Sequence, residues 1–434
     1  MTPQSIGPDP MILLITAFFS LALLFWGFRS FHRKRIIDDT PTLKTIGVFI
    51  GLAELKGTAE TEKPLKSYLT ETQCVQYSWR IEEQWRRQVT ETYHDSEGRT
   101  KTRTRTETGW RTVDQGGESP KFYLRDETGV IRIDPRNADI NGELVLNEVF
   151  TRRHPMYYGK GPRRSVSNSR HRRRFTETLI PLHSQIYVIG QARERDDIIA
   201  AEIAYDEEEP LYVISTDGEK TVSSSYGNYF ILLSVIGLII TGLPIAFSEN
   251  LISPLVFAPT GVYLLAFCLG WLFVVYNSIV SLGNSVDQAR SLIDIQLKRR
   301  SDLIPRLVEI VEGYQKHEQN IHTYIAELRA QANVSGEAEA VAPILVAIDE
   351  NYPELKAGEQ YLDLQKSLEE TEQRIALARD YYNQIANFYN TRLDTIPDRY
   401  IAKLAALKPQ LLWSGKDFRR ATIETDISMK STTS

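Results

Sequence analysis

The residue types that carry out covalent or acid–base chemistry do not gather into a reactive set in this chain. Its two cysteines, Cys74 and Cys268, lie far apart, and Cys268 falls inside an apolar run. A zinc site or a disulfide framework needs several such residues at close spacing, so each cysteine reads as a small buried apolar side chain. The histidines, His183 among them, stand alone without ligand spacing. Paired carboxylates beside a base, a Ser/His/Asp set and a phosphate-binding glycine loop are all missing from the sequence. The expectation is therefore no metal, no cofactor and no enzymatic activity.

Two groups of polar residues remain. The first is basic: Arg152, Arg153, Lys160, Arg163, Arg164, Arg170, Arg172, Arg173 and Arg174, with Ser, Asn, Gly and Pro between them. It reads as a mobile loop. Beside a leaflet rich in anionic lipid, such a run gains about 1 kcal/mol per basic residue. Anionic lipid or an acidic partner is one reading, and a plain solvated loop is the other. Nucleic acid is not expected, because no helix-turn-helix or interleaved aromatic pattern accompanies the charge. The second group lies in helical segments. Asp294, Lys298 and Arg299 are spaced for pairing along helix faces. Asp302 precedes Pro305 and could cap a helix restarted there. Asn383 and Asn390 share one stripe, where they would bond between helices or fix register.

The elements that hold these residues follow from length and pattern. The chain has 434 residues, too many for one ordinary domain, with 25% charged and a net charge of −5. Three runs are apolar enough to cross a bilayer: 11–28, 229–247 and 255–276. Residues 1–10 form a tail whose one charge is Asp9, whereas Arg29, Arg33, Lys34 and Arg35 follow the first run. That order fits an uncleaved anchor rather than a signal peptide. The second and third runs are separated by SENLISP and read as a tight hairpin. Basic residues accumulate on one side, so the N-terminus and hairpin tip are expected outside and both soluble regions in the cytoplasm.

Residues 40–228 read as β-rich. Cys74–Glu83 alternates Val75, Tyr77, Trp79 and Ile81 on one face. Trp85–Tyr93, a turn at 94–98 and an arm alternating Thr with Arg or Lys predict a hairpin with one basic face. That face is either a solvated, charge-protected edge or a surface for lipid phosphate or an acidic partner. Short strands are expected at 122–135, 144–150, 175–190, 198–205 and 211–215.

Residues 277–413 read as helical. Ile279, Leu282, Val286, Ala289 and Ile293 share a face, and Pro305 predicts a bend or break near Leu303. Further helix is expected at 319–332 and 344–349, with a connection at 333–343. The most regular pattern is Leu364, Leu368, Thr371, Ile375, Ala378, Tyr382, Ile385 and Tyr389, stepping by four and three. This seven-residue repeat predicts a packing seam against the opening helix of the same chain or against another subunit. Residues 414–434 read as a disordered tail.

These strings resemble two known families. "GLAE", "CVQYSWRIEE", "FYLRDETGVIRIDP" and "ETLIPLHSQIYVIGQA", in that order, resemble the GIDE-type domain of mitochondrial RING ubiquitin ligases. The resemblance implies a β-rich (α+β) fold beside a membrane. It does not bring ligase chemistry, since a RING needs about eight Cys/His ligands. "YNSIVSLGNSVDQARSLIDIQLKRRSDLIPRLVEIVEGYQKHE" and "LQKSLEETEQRIALARDYYNQIANFYN" resemble the LemA family, which implies an all-α helical bundle hung from a membrane helix. The expected whole is a multidomain membrane protein of bacterial type with three transmembrane helices, located in the inner membrane. Its expected role is a non-enzymatic scaffold that forms homo-oligomers at the bilayer and organises the envelope or recruits partners. A stress sensor or signalling adaptor, and a ligase- or hydrolase-like enzyme, are the alternatives.

Overall fold

The computed structural model describes residues 10–94, 100–195, 200–207, 211–246, 254–313, 324, 326–327, 345–348, 350 and 358–413. Residues 1–9 of the expected tail 1–10, most of the hairpin tip, the connection at 333–343, most of the helix at 319–332 and the tail 414–434 lie outside them. Two compact units emerge. One is Thr42–Val222, and the other joins residues up to Pro41 with those from Ser223 onward.

The Thr42–Val222 unit is built from two sheets. In the first, β2 (Gly51–Glu60), β6 (Phe122–Arg125), β7 (Val130–Ile133), β12 (Ala201–Ala204) and β11 (Gln185–Glu194) pair in turn. Pairing of β11 with β2, Val188 opposite Leu55, closes the ring. This part of the β-rich region is thus a small barrel, which removes its edges. The flanking strands β1 (Thr42–Leu43), β8 (Asp139–Asn141) and β13 (Val213–Ser215) extend it. Ala53, Leu55, Phe122, Leu124, Ile131, Ile133 and Ile203 are buried, as period-two alternation requires. Asp126 shapes the β6–β7 turn by accepting hydrogen bonds from the backbone of Thr128 (2.8 Å) and Gly129 (3.0 Å).

The second sheet contains β3 (Leu65–Lys66), β4 (Gln73–His94), β10 (Ser169–Pro181) and β9 (Glu143–Thr151), with β5 (Thr100–Glu118) paired along β4. The two strands expected at 74–83 and 85–93 are one continuous strand, β4. Its register with β5 sets Thr90 opposite Thr104 and Thr92 opposite Thr102 on one face, and Glu91 opposite Arg103 on the other. Trp85 and Trp79 each lie across from a glycine, Gly109 and Gly116, where a Cβ would come within 2.7 Å and 3.1 Å of the indole. Each ring therefore covers backbone that a larger residue would push away.

The other unit is helical. Helices α1 (Pro10–Asp39), α3 (Glu219–Ala246) and α4 (Ala258–Gly313) are each long and apolar enough to cross a membrane. A short helix, α2 (Met156–Gly159), belongs to the β unit. Helix α5 (Glu359–Asp394) and α6 (Asp398–Leu404) follow. Phe28, Phe31, Phe230 and Phe267 stack where α1, α3 and α4 meet. Of the bend or break expected near Leu303, the break does not occur: α4 continues through Pro305. Pro305 sits on the exposed face, so water can satisfy the carbonyl it frees. Cys74 is buried as expected, but Cys268 lies exposed on the apolar part of α4.

Candidate functional site

Helices α4 and α5 run antiparallel and in step. Tyr389 lies against Gly283, Arg300 lies 3.4 Å from Glu372, and Ile304, Leu307, Val308 and Val311 share a core with Tyr361 and Leu368. The step from 283 to 300 equals the step from 372 to 389, about 25 Å of helix on each side. The seam faces this partner. Leu368, Thr371, Ile375, Tyr382, Ile385 and Tyr389 are buried, while Leu364 and Ala378 are half-buried. On α4, Ile279, Leu282, Val286, Ala289 and Ile293 are buried as well.

Polar residues from both quoted helical strings converge at the middle of this pair. Arg300 is buried, and neither carboxylate oxygen of Glu372 makes a hydrogen bond. Gln296 Oε1 and Arg374 Nε are likewise buried without one. Burial pushes the Glu372 carboxyl above its ordinary range, and Arg300 and Arg379 offset this only in part. Asp294, Lys298, Arg299 and Asp302, considered above for pairing or capping, are exposed and take no part in this polar core.

Asn383 and Asn390 do not bridge helices. They hold an extended segment that returns along α5 after α6. The Asn390 amide donates to Gln410 O (2.8 Å) and its oxygen accepts from Gln410 N (2.8 Å). Asn383 repeats the pattern on Trp413, accepting at 2.6 Å and donating at 3.3 Å. Tyr382 adds a bond to Leu411 O at 2.7 Å. Seven helical residues rise about 10.5 Å and three extended residues span about 10 Å, so the two asparagines match the two peptide units in pitch. Each contact reads backbone rather than side chain. Asn390→Ala and Asn383→Ala are each expected to cost about 1–2 kcal/mol. The Gln410 and Trp413 amides should then exchange hydrogen faster, by mass spectrometry.

At the same end of α5, next to Asn390, a buried ionic lattice ties four helices together. The guanidinium of Arg35 on α1 donates to both oxygens of Asp398 on α6, at 2.6 Å and 3.0 Å. Arg392 of α5 donates to Asp39 of α1 at 2.7 Å and 2.9 Å and lies 3.6 Å from Asp398. Ser278 of α4 donates to Asp39 at 3.0 Å. Sequence reading counted Arg35 only as part of a basic cluster and missed Asp398 and Arg392. The partners stand 363 and 353 residues apart, beyond any local spacing signal.

The basic run divides in the structure. Arg152, Arg153, Arg163, Arg164, Arg170 and Arg172 are exposed. Arg173 is not available to lipid or partner: it is fully buried and pairs with buried Glu83 at 3.0 Å. Its five donors go to Glu83 (twice) and to the carbonyls of Tyr157, Pro162 and Arg164. That pinning corrects the picture of a loose loop, since α2 and β10 both fall within it. Arg174 is half-buried, lies 3.3 Å from Glu82 and stacks on Trp110, at the rim of an open cavity of about 660 Å³. Among the described residues, no group of three His, Cys, Asp or Glu side chains could hold a metal ion.

Comparison with known proteins covers both halves. The LemA family model matches residues 289–426, and the GIDE model, described as an E3 ubiquitin ligase, matches residues 90–244. Protein LemA of Metamycoplasma hominis is 25% identical over 188 residues, covering 38% of this chain and 86% of that protein. Magnetosome protein MamQ 2 of Paramagnetospirillum magneticum and magnetosome protein MamQ of Magnetospirillum gryphiswaldense are each 22% identical over 169 residues, 31% of this chain. The alignment spans 62% of the length of these magnetosome proteins. The polar core, the asparagine pair and the backbone segment that the pair holds thus fall in a LemA-type segment, which this chain carries behind a GIDE-type segment.

Proposed function

We propose that this chain is a non-enzymatic, membrane-anchored scaffold that forms homo-oligomers at a bacterial inner membrane and organises the envelope or recruits partners. The observation that carries the reading is the lattice of Arg35, Asp39, Arg392 and Asp398. It commits buried charge to joining the base of the first apolar helix to the end of the helical bundle that starts at Ser278. Charge placed this way fixes elements relative to one another. Three apolar helices supply the anchor, and the magnetosome and LemA relatives support a non-catalytic role. By the distribution of basic residues, the N-terminus and hairpin tip lie outside, and the β unit and bundle lie in the cytoplasm. There the exposed arginines 152, 153, 163, 164, 170 and 172 would meet anionic headgroups.

The seam faces α4 within the chain, so contacts between copies fall on other surfaces. Extraction of the full chain in mild detergent followed by blue-native electrophoresis should give a discrete species larger than one chain. A single-chain species at native abundance would overturn the scaffold reading.

A further inference from the structure

Between α1 and α4 lies an open groove of about 490 Å³. On α1 it is lined by Phe25, Phe28, Arg29 and His32. On α4 it is lined by Gly270, Phe273, Val274 and Asn277. The two sets have the same spacing, so two helices running in the same direction present matching faces over two turns. The groove is apolar along most of its length and polar at one end. That end is made where each apolar run stops: Arg29 directly follows the run 11–28, and Asn277 directly follows the run 255–276. Gly270 contributes no side chain, and the ring of Phe28 fills the space a Cβ would need. Arg29 and His32 are exposed, and no carboxylate pairs with Arg29 among the described residues.

We propose that this groove binds one anionic phospholipid, an acyl chain lying along Phe25, Phe28 and Phe273 and the phosphate resting on Arg29, His32 and Asn277. The division of the lining fits an amphiphile and no soluble anion. A phosphate ion would gain only the polar end, and a neutral chain only the apolar part. At the depth where hydrocarbon gives way to headgroups, the arginine can keep its charge in the polar layer while its stem packs on aromatic rings. A zwitterionic headgroup would bring its own cation beside Arg29, which selects for net negative lipid. The site rests on the reading that α1 and α4 cross a bilayer. It is separate from the exposed arginines of the β unit.

The test uses the full chain in maltoside micelles, titrated with phosphatidylglycerol, phosphatidylcholine or glycerol phosphate. Native mass spectrometry and thermal shift provide the readouts. One phosphatidylglycerol per chain should be retained and should raise the melting temperature, with phosphatidylcholine at least about tenfold weaker and glycerol phosphate without effect. The double variant Arg29→Gln, His32→Gln should lose at least about tenfold in phosphatidylglycerol affinity while still unfolding in one cooperative transition without lipid. A control at the exposed Lys63 of the β unit, Lys63→Gln, should bind as the parent does. Equal retention by the double variant, equal binding of phosphatidylcholine, or binding of glycerol phosphate alone would each overturn the site. Carbonate washing of membranes separates the two levels. A chain that washes off without detergent refutes the membrane reading itself, and one that stays but binds lipid without preference refutes only the groove.

Discussion

Arg173→Ala is expected to destabilise the β unit by about 3–5 kcal/mol, the cost of leaving a buried charge without its partner. Glu83 is fully buried, and besides Arg173 it accepts from the Tyr157 hydroxyl at 2.8 Å and from the Ser169 hydroxyl. Burial alone would raise its pKa. The bonds from Ser169, Tyr157 and Arg173 outweigh that, and the carboxyl lies below its ordinary value. A carboxyl held low in the folded state stabilises fully above its unfolded pKa. That contribution is lost as the pH falls through the lowered folded value. Without Arg173 the carboxyl loses part of what holds it low, so the deficit of the variant should be largest near neutral pH and should shrink on acidification. Loss of the carbonyl contacts should also speed hydrogen exchange across residues 157–168. Arg173→Lys keeps the charge but offers fewer donors, so it should fall between the two. Urea unfolding at several pH values checks the series. A variant as stable as the parent would show that the pair contributes nothing.

Breaking the helical lattice should cost a comparable amount, with a telling asymmetry. Asp398→Leu leaves Arg35 buried without its carboxylate, and about 3–5 kcal/mol is expected. Arg35→Leu should cost less, because Asp398 still lies 3.6 Å from Arg392. The double variant Arg35→Leu, Asp398→Leu should recover most of the loss, since two apolar groups of suitable size can replace an ion pair at little cost. Thermal unfolding of the four proteins in one detergent completes a double-mutant cycle. Strict additivity would mean that the two side chains do not depend on each other.

What could be read from the residues depended on how local the cause was. The α5 seam declared itself because its repeat lies in one continuous segment, and the structure buries six of its eight positions. Its partner stayed open, since nothing in the repeat distinguishes α4 from another subunit. The barrel was out of reach for the same reason: β2 and β11 are separated by most of the β unit, and only their pairing closes the ring. Arg173 was mistaken for one more surface charge, although a signal existed. Extending the alternation of Phe175, Glu177 and Leu179 backward places Arg173 on the buried face of β10, opposite in phase to Arg172 and Arg174. The two asparagines were correctly singled out as a stripe. Their partner is a backbone segment with no pattern of its own, so their role could not be assigned. Pro305 shows the converse, a strong local signal that does not end the helix because its position faces water.

Helix α4 has no joint between its apolar half and its bundle half. Its residues beyond Asn277 extend about 55 Å, so a lean of roughly 10° in the apolar half would sweep Gly313 sideways by about 10 Å. Changes in bilayer thickness that merely tilt the buried end would therefore be magnified at the tip of this lever, and α5, being zipped alongside, would have to swing with it.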